Sequence, residues 1–242
     1  MRRAWRTWVR SGWYREVRVK SREAMLARSL LGARTQLLGI VTDLSNQILM
    51  KTLVVPKGAG KVFEANVRRL LEDEKAVAAI VLPLLDAWRA VRAQAADLDR
   101  QLLSMVRENA ACRRLMTIPG VGAVVALSFV TAIETPETFT RSRDVGAWIG
   151  LTPRRYQSGE VDYEGHISRR GDARLRSLLF EAAMAMLTRV RGESDLRRWG
   201  LALRKRLGFK RAVVALARKL AVIMHAMLKT GTDFNPTPAA RP

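Results

Sequence analysis

The sequence predicts a mainly α-helical protein, in which a long helical hairpin or short coiled coil precedes a second helical region with a small extended loop or hairpin. Three observations predict this class. Apolar residues recur at spacings of three and four over most of the chain. Hydrophobic residues make up 48% of the sequence, which is ample for a core. Glycine and proline interrupt the helical pattern at "VVPKGAGK" and "IPGVG".

The first elements in chain order are a strand-like segment and two long helices. Residues 13–21, "WYREVRVKS", alternate apolar and charged side chains as a strand does, although a lone strand is not stable without partners. Helical patterns then run over about 22–52 and 62–109, and the second should bend near Pro83. Charges between its apolar positions favour a helical hairpin or coiled coil.

A tight turn divides residues 115–133, "LMTIPGVGAVVALSFVTAI", into two helical patterns. In one interpretation it is a helix-hairpin-helix-like turn, where Gly120 and Gly122 let a phosphate approach the backbone and the next helix N-terminus attracts it. In the other it is an ordinary turn whose glycines are chosen for backbone angle. The turn alone leaves both open, and the basic composition favours the phosphate.

Three further helices complete the predicted fold. A short one lies within 139–151, capped by Ser142 or Thr140. An amphipathic one follows Asp172, a good N-cap. A final one spans about 210–229, and the histidine within it, at position 225, is expected to be packed or on the surface without a functional role.

The charge balance indicates a polyanionic partner. Lys and Arg number 43 against 22 Asp and Glu, a net charge of +21 with a pI of about 11.4. Nucleic acid is the first candidate and an anionic membrane surface the second. No apolar run approaches the roughly 18 residues of a membrane helix. With Cys112 as the one cysteine and only two histidines, a disulfide framework is excluded and a zinc site nearly so, which favours a cytoplasmic protein without a metal site.

Residues 151–176, "LTPRRYQSGEVDYEGHISRRGDARLR", gather arginines around a Ser-Gly pair and continue into a helix. Cations in the first helical turn oppose the helix dipole, and a bound phosphate would reverse the sign of that interaction. The sequence therefore predicts a phosphate-binding site with a second contact at Gly120 and Gly122. Its other members are Arg154, Arg155, Gly159, Arg169, Arg170, Arg174 and Arg176.

Two interpretations of Ser158 remain open. Ser158-Gly159 is common turn chemistry. Alternatively, Ser158 is a nucleophile whose transition state the guanidinium groups stabilise, while Gly159 lets a phosphate approach. The carboxylates that follow, Glu160, Asp162 and Glu164, alternate along one side of an extended strand. Such clusters hold metals in some nucleases, but these are more simply the solvent face of a hairpin or partners of the arginines.

Three stretches together resemble the DEDD-type insertion-sequence transposases, which are RNA-guided recombinases: "VPKGAGKVFEANVRRLL", "LMTIPGVGAVVALSFVTAI" and "FTRSRDVGAWIGLTPRRYQSGEVDYEGHISRRGDARLRSLLFEAA". The resemblance covers the chain from about Ser11 and is dense over 115–187. It implies a resolvase-like N-terminal domain with four acidic residues for magnesium, a coiled coil, and a C-terminal transposase domain with a serine that links covalently to DNA. The serine of the family's SG motif matches Ser158.

The resemblance also implies a domain organisation. Residues 1–21 correspond to the last strand of the resolvase-like domain, 22–110 to the helical coiled-coil region, 111–230 to the C-terminal transposase domain and 231–242 to a flexible tail. None of the four acidic positions has a counterpart, so the chain is expected to be an N-terminally truncated copy that is inactive alone. No cofactor is expected in it, since magnesium belongs with the missing acidic domain.

The expected function is therefore DNA transposition or recombination through a covalent serine–DNA intermediate. Expected partners are DNA, a guide RNA by family analogy and further copies of the chain in a homo-oligomer, with no membrane and a cytoplasmic, nucleoid-associated location. The rival hypothesis is a non-catalytic nucleic-acid-binding module in which Ser158 is only a turn residue. A basic scaffold for ribosomal or structural RNA is a third, which leaves the glycine turn and the Ser-Gly pair unexplained.

Overall fold

A computed structural model describes residues 19–49, 55–56, 58–158 and 161–237. These residues are mainly helical and include one two-stranded antiparallel sheet, so the predicted fold class is confirmed. Along them the chain forms α1 (Arg22–Leu49), α2 (Lys61–Leu70), α3 (Lys75–Glu108), α4 (Ala110–Leu115), α5 (Ala123–Ile133), a 3-10 turn (Pro136–Thr138), α6 (Asp144–Trp148), β1 (Pro153–Ser158), β2 (Val161–Ile167), α7 (Ala173–Thr188), α8 (Asp195–Leu207) and α9 (Phe209–Thr230).

The long helices α1 and α3 pack against each other as a helical hairpin, as the apolar pattern predicts. A small apolar core joins them at one end, where Trp88 is 3% exposed and its indole Nε1 donates to Ser45 Oγ at 2.9 Å. Phe63 of α2 packs on the same indole, with ring centroids 5.3 Å apart. Helix α2 therefore covers the end of this hairpin.

The predicted bend near Pro83 is wrong in its place. The helical pattern is broken earlier, between Leu70 and Lys75, and Pro83 lies inside the continuous helix α3. The segment in the break reads Leu-Glu-Asp-Glu, and carboxylates just before α3 suit the positive end of its dipole. Pro83 is tolerated because it lies on the exposed face, where water can hydrate the carbonyl of Ala79 that lost its donor.

A larger apolar core is built mainly from α5, α7 and α9. Phe129, Leu179 and Leu216 are completely buried there. Leu31 of α1 and Leu102 of α3 belong to the same core, so the two long helices extend from the small core into the large one. Burial of side chains this large contributes about 1.5–3 kcal/mol each, and this core positions the elements described below.

The ends of two later helices follow the predicted signals. Asp172 caps α7, since its Oδ1 accepts from the backbone N–H groups of Arg174 and Leu175 at 3.0 Å. Helix α9 matches the predicted final helix within a residue at each end. Helix α8, which the apolar pattern does not predict, is capped by Ser194, whose hydroxyl accepts from Arg197 N–H at 3.2 Å. It escapes prediction because few of its residues are buried.

Ser142 does not cap α6, which begins at Asp144 after Arg143. Instead the Ser142 hydroxyl lies 2.9 Å from His225 Nδ1, while His225 Nε2 lies 2.9 Å from the Pro136 carbonyl. A carbonyl can only accept, so Nε2 carries the proton and Nδ1 accepts from Ser142. The histidine is fully buried, as a packed residue should be, and burial is the main cause that lowers its pKa.

Two predictions fall wholly or partly outside the described residues. Of the strand predicted over 13–21, residues 13–18 lie outside, and residues 19–21 do not form a strand. Of the tail predicted over 231–242, residues 238–242 lie outside. Across the described part of the chain, no helix has the length and apolarity that crossing a bilayer requires.

Candidate nucleic-acid interface

Strands β1 and β2 form an exposed hairpin that carries the Ser-Gly pair at its tip. The strands pair antiparallel, with Tyr156 opposite Tyr163 and Ser158 opposite Val161. Every residue of β1 is exposed. Gly159, the predicted glycine beside the serine, lies outside the described residues. The hydroxyl of Ser158 is thus presented at the end of an arm rather than inside a pocket.

The Ser158 face of the hairpin carries a pair of stacked tyrosines. The rings of Tyr156 and Tyr163 are 5.0 Å apart and nearly parallel, at 17°, although the residues are 45% and 54% exposed. The Tyr156 ring also covers Gly165, where an added Cβ would lie 2.9 Å from its Cε2. Alternate residues of a strand share a face, so Ser158 lies on the same side as these rings. Exposed aromatic faces of this kind can stack unpaired bases.

Motif analysis missed these tyrosines, although a signal was present. Tyr156 lies three residues before the two-residue loop and Tyr163 three residues after it. In a hairpin with a two-residue loop, such positions are directly opposite each other. Two aromatic residues at equal distance from a predicted turn therefore predict a cross-strand pair.

The opposite face of the hairpin holds an ion pair. Arg155 Nε donates to Asp162 Oδ1 at 2.8 Å, and its Nη2 donates to Oδ2, so the contact is bidentate. The hydrogen bonds from Arg155 hold the pKa of the Asp162 carboxyl below its usual range. Asp162 is thus an arginine partner, as predicted for these alternating carboxylates.

The base of the hairpin is fixed by two glycines at positive φ. Gly150 (φ 80°) lies against residue 170, and an added Cβ would be 2.1 Å from the Arg170 carbonyl oxygen. Gly171 (φ 79°) is as close to the Trp148 carbonyl oxygen. Backbone bonds from Ser168 N–H to the carbonyl of residue 152, 2.8 Å, and between residues 169 and 150 close the crossing. Only glycine allows this approach, so the hairpin has a defined direction relative to α6 and α7.

Four of the predicted phosphate-binding arginines gather at this base. Arg154 Nη2 donates to the Ser168 carbonyl at 3.1 Å. Arg176 Nη1 donates to the carbonyls of Ile149 at 2.8 Å and Arg170 at 3.0 Å. The side chains of Arg169 and Arg170 are exposed and make neither a hydrogen bond nor an ion pair within the described ranges.

Arg174 points away from the hairpin towards α1. Its Nη2 donates to the Leu31 carbonyl and to Thr35 Oγ1, and burial is the main cause that lowers the pKa of its guanidinium. Asp172, besides capping α7, lies 3.5 Å from Arg28 of α1. The arginine in the first turn of α7 therefore has partners within the chain, and its presence does not require a phosphate.

Ser158 and the arginines at the base are not adjacent within the chain. Four residues separate Arg154 from Ser158 along β1, which at a rise of about 3.3 Å per residue is about 13 Å. This exceeds the reach of one phosphate group. A nucleic-acid strand lying along the hairpin could contact both ends, because backbone phosphates recur at about 3.4 Å of helix rise in each strand.

The two glycines of the tight turn differ in what surrounds them. Gly120 has φ 90°, and an added Cβ would lie 2.9 Å from the Ala182 carbonyl oxygen and 3.3 Å from Met186 N. Helix α7 of the same chain thus occupies the space beside Gly120. Gly122, just before α5, has nothing within 4 Å of an added Cβ. Packing accounts for Gly120, while a phosphate contact at Gly122 stays a prediction.

Within the described residues, no group of three or more His, Cys, Asp or Glu side chains is placed to hold a metal ion. The magnesium site implied by the resemblance is not formed by these residues. The chemistry considered below is therefore that of the described side chains alone.

Residues 112–198 match a family model described as "Transposase IS116/IS110/IS902 family". The matched segment begins in α4 and ends in α8, so it contains the glycine turn, the hairpin and α7. The interface built above lies entirely within it.

Similar proteins extend the likeness over most of the chain. A transposase for insertion sequence element IS1111A from Coxiella burnetii is 33% identical over 88% of this chain and 61% of its own length. A probable family 20 transposase from Pseudomonas aeruginosa is 32% identical over 92% of this chain and 69% of its own. A transposase for insertion sequence element IS1328 from Yersinia enterocolitica is 34% identical over 59% and 43%. The chain spans less than two thirds of the first of these relatives.

Proposed function

Because the chain belongs to the IS116/IS110/IS902 family of transposases, we propose that it acts in DNA transposition or recombination, with the β1–β2 hairpin as its DNA-contacting element and Ser158 as its nucleophile. The observation that carries this proposal is the exposed hairpin, which presents a hydroxyl and two stacked tyrosines on one face with arginines at its base. The site of action would be the nucleoid, in the cytoplasm.

The proposed reaction is two successive phosphoryl transfers. Ser158 Oγ attacks a backbone phosphorus, an Oγ–P bond forms, and the bond from phosphorus to one bridging oxygen breaks, which leaves a DNA end with a free hydroxyl. A hydroxyl of another DNA end then attacks the same phosphorus, restores a phosphodiester and releases the serine. The number of phosphodiester bonds is conserved, so no external energy source is needed.

The described residues contribute binding, orientation and charge to this reaction. Arg154, Arg169 and Arg170 would hold the phosphates beside the base, while the tyrosines would stack bases near the tip. Asp162 is held by Arg155 on the other face, so it is not the group that accepts the Ser158 proton. We assign that acceptor to a group outside the described residues, and the resemblance to DEDD-type enzymes points to a resolvase-like domain as its source.

Further partners follow from the same proposal. A guide RNA is proposed by family analogy, and the stacked tyrosines suit its unpaired bases. A homo-oligomer is proposed because joining two DNA ends requires more than one nucleophile at a synapse.

One observation favours a second candidate, a non-catalytic nucleic-acid-binding module. Within the chain Ser158 lies about 13 Å from the arginines that should stabilise the charge on the transferred phosphate. In this candidate the hairpin binds DNA and Ser158 only shapes the turn.

A trapped covalent adduct tests the proposal. The chain is incubated with labelled, nicked duplexes carrying the ends of its own element, and adducts are separated on denaturing gels. Wild type and the control Ser177→Ala, whose exposed serine lies on α7, should form an adduct that Ser158→Ala does not. Retained DNA affinity with no adduct in any of the three proteins would favour the binding module, while an adduct in Ser158→Ala would refute Ser158 as the nucleophile.

A further inference from the structure

The second half of the C-terminal region is unusually basic. Between Leu196 and Thr232 the sequence contains ten Lys and Arg residues and no Asp or Glu. Half of these cations lie where α8 ends and α9 begins, a surface that we call the α8–α9 basic corner. It consists of Arg204, Lys205, Arg206, Lys210 and Arg211. All five residues are exposed.

The corner is a rigid part of the fold. Gly208 alone connects the two helices, with φ 80°, and its N–H bonds to the Arg204 carbonyl at 3.1 Å. Leu203 on one side and Ala212 and Val213 on the other are buried in the protein. The guanidinium of Arg204 lies 5.3 Å from the centre of the Phe209 ring. The charges are therefore held on two anchored helix ends rather than on a loop.

The charges of the corner are uncompensated. None of its five side chains has an ion pair with any carboxylate of the described residues. Lys210 and Arg211 also occupy the first turn of α9, where a cation is disfavoured by the helix dipole. Charge of one sign on a fixed surface is explained by a polyanion that neutralises it.

We propose that the α8–α9 basic corner is a docking surface for the phosphate backbone of duplex DNA, separate from the hairpin. Duplex DNA is favoured over single strands because these use exposed aromatic rings for base stacking. The corner's one ring, Phe209, is half-buried and covered by Arg204. Contacts made by Lys and Arg alone bind the backbone without reading sequence. This inference rests on the proposed function, since it gives the DNA a second point of attachment.

The test is the salt dependence of duplex binding by the intact chain. A corner variant, Lys205→Gln with Arg206→Gln and Lys210→Gln, removes three exposed cations while Arg204 stays on Phe209. A control variant, Lys61→Gln with Arg69→Gln and Lys75→Gln, removes three exposed cations from α2 and α3. Circular dichroism and thermal melting check that both are folded, and anisotropy with a labelled 30-base-pair duplex gives affinity from 0.05 to 0.3 M salt.

If each cation neutralises one phosphate, the corner variant should lose about 0.9 per contact from the slope of log affinity against log salt. At 0.15 M salt this is about fivefold in affinity per contact, or roughly a hundredfold for three. The control should change the affinity much less. Equal losses in both variants, or an unchanged corner variant, would overturn the inference.

Other ligands and a hairpin variant separate the remaining outcomes. A loss confined to single-stranded RNA or to anionic vesicles, with duplex binding unchanged, would overturn the choice of duplex DNA. Arg169→Gln with Arg170→Gln, measured in parallel, tests the hairpin. Loss in that variant alone would refute the corner and leave the proposed function standing. Loss in the corner variant alone would support the corner and count against the hairpin as the DNA-contacting element.

Discussion

Replacing Gly171 by alanine should destabilise the protein more than the same change at another glycine of similar backbone conformation. Gly171 (φ 79°) and Gly231 (φ 70°) are both in the left-handed region, where an L-residue costs about 1–2 kcal/mol. They differ in their surroundings. An added Cβ at position 171 would lie 2.1 Å from the Trp148 carbonyl oxygen, whereas at position 231 nothing lies within 4 Å.

The clash at position 171 therefore adds to the conformational cost. To reach ordinary contact distance, the crossing strands at the hairpin base must separate by more than 1 Å, and overpacking of this kind costs about 1–3 kcal/mol. We expect Gly171→Ala to lower the free energy of unfolding by about 2–5 kcal/mol and Gly231→Ala by about 1–2 kcal/mol. Against a typical total of about 5–15 kcal/mol, the difference is measurable.

Urea unfolding followed by circular dichroism, with linear extrapolation to water, gives both values. Any gain from a less flexible unfolded chain is common to the two alanines and cancels in the comparison. Losses that agree within about 0.5 kcal/mol, inside the usual error of the extrapolation, would refute the close approach at the hairpin base.

Three titration predictions follow from the side-chain environments. Arg155→Gln should raise the pKa of Asp162 towards the ordinary value near 3.9, as a carbon-detected NMR titration would show; an unmoved pKa would mean that the ion pair does not form in solution. Burial raises the pKa of Cys112 to about 12, so a thiol reagent at pH 8 should label the unfolded protein far faster than the folded one, and equal rates would contradict the burial. The lowered pKa of His225 means that the unfolded chain binds its proton more readily, so stability should fall as pH drops through about 6.5. His225→Gln should flatten that dependence, and an equally steep loss in the variant would assign it to other groups.

Local signals in the sequence predicted the local parts of this fold. The cap at Asp172 and the apolar stripe after it are both short-range features, and α7 begins where they indicate. Pro83 misled because its effect depends on which face of the helix it occupies, and that face is set by packing against α1. A helix such as α8, with little apolar burial of its own, is stabilised by a neighbour that the pattern does not reveal.

The candidate site was predicted less completely, because its arginines look alike in the sequence but not in the fold. Arg174 bonds to Leu31 and Thr35, more than a hundred residues away, and no local pattern encodes that contact. Arg169, five residues earlier, is exposed at the hairpin base. The tyrosine pair, in contrast, could be found from symmetry about the turn.

The path of α1 through both apolar cores has a consequence for dissecting the chain. At its N-terminal end, Lys20 Nζ donates to the carbonyls of Thr131 and Ala132 at 2.8 and 2.9 Å, which ties it to the end of α5. Further along, Leu31 fills the larger core. A fragment cut at the predicted boundary of 110 and 111 would leave that core open where α1 and α3 had covered it. The two regions should therefore melt as one cooperative unit, and limited proteolysis should not release a stable 111–230 piece.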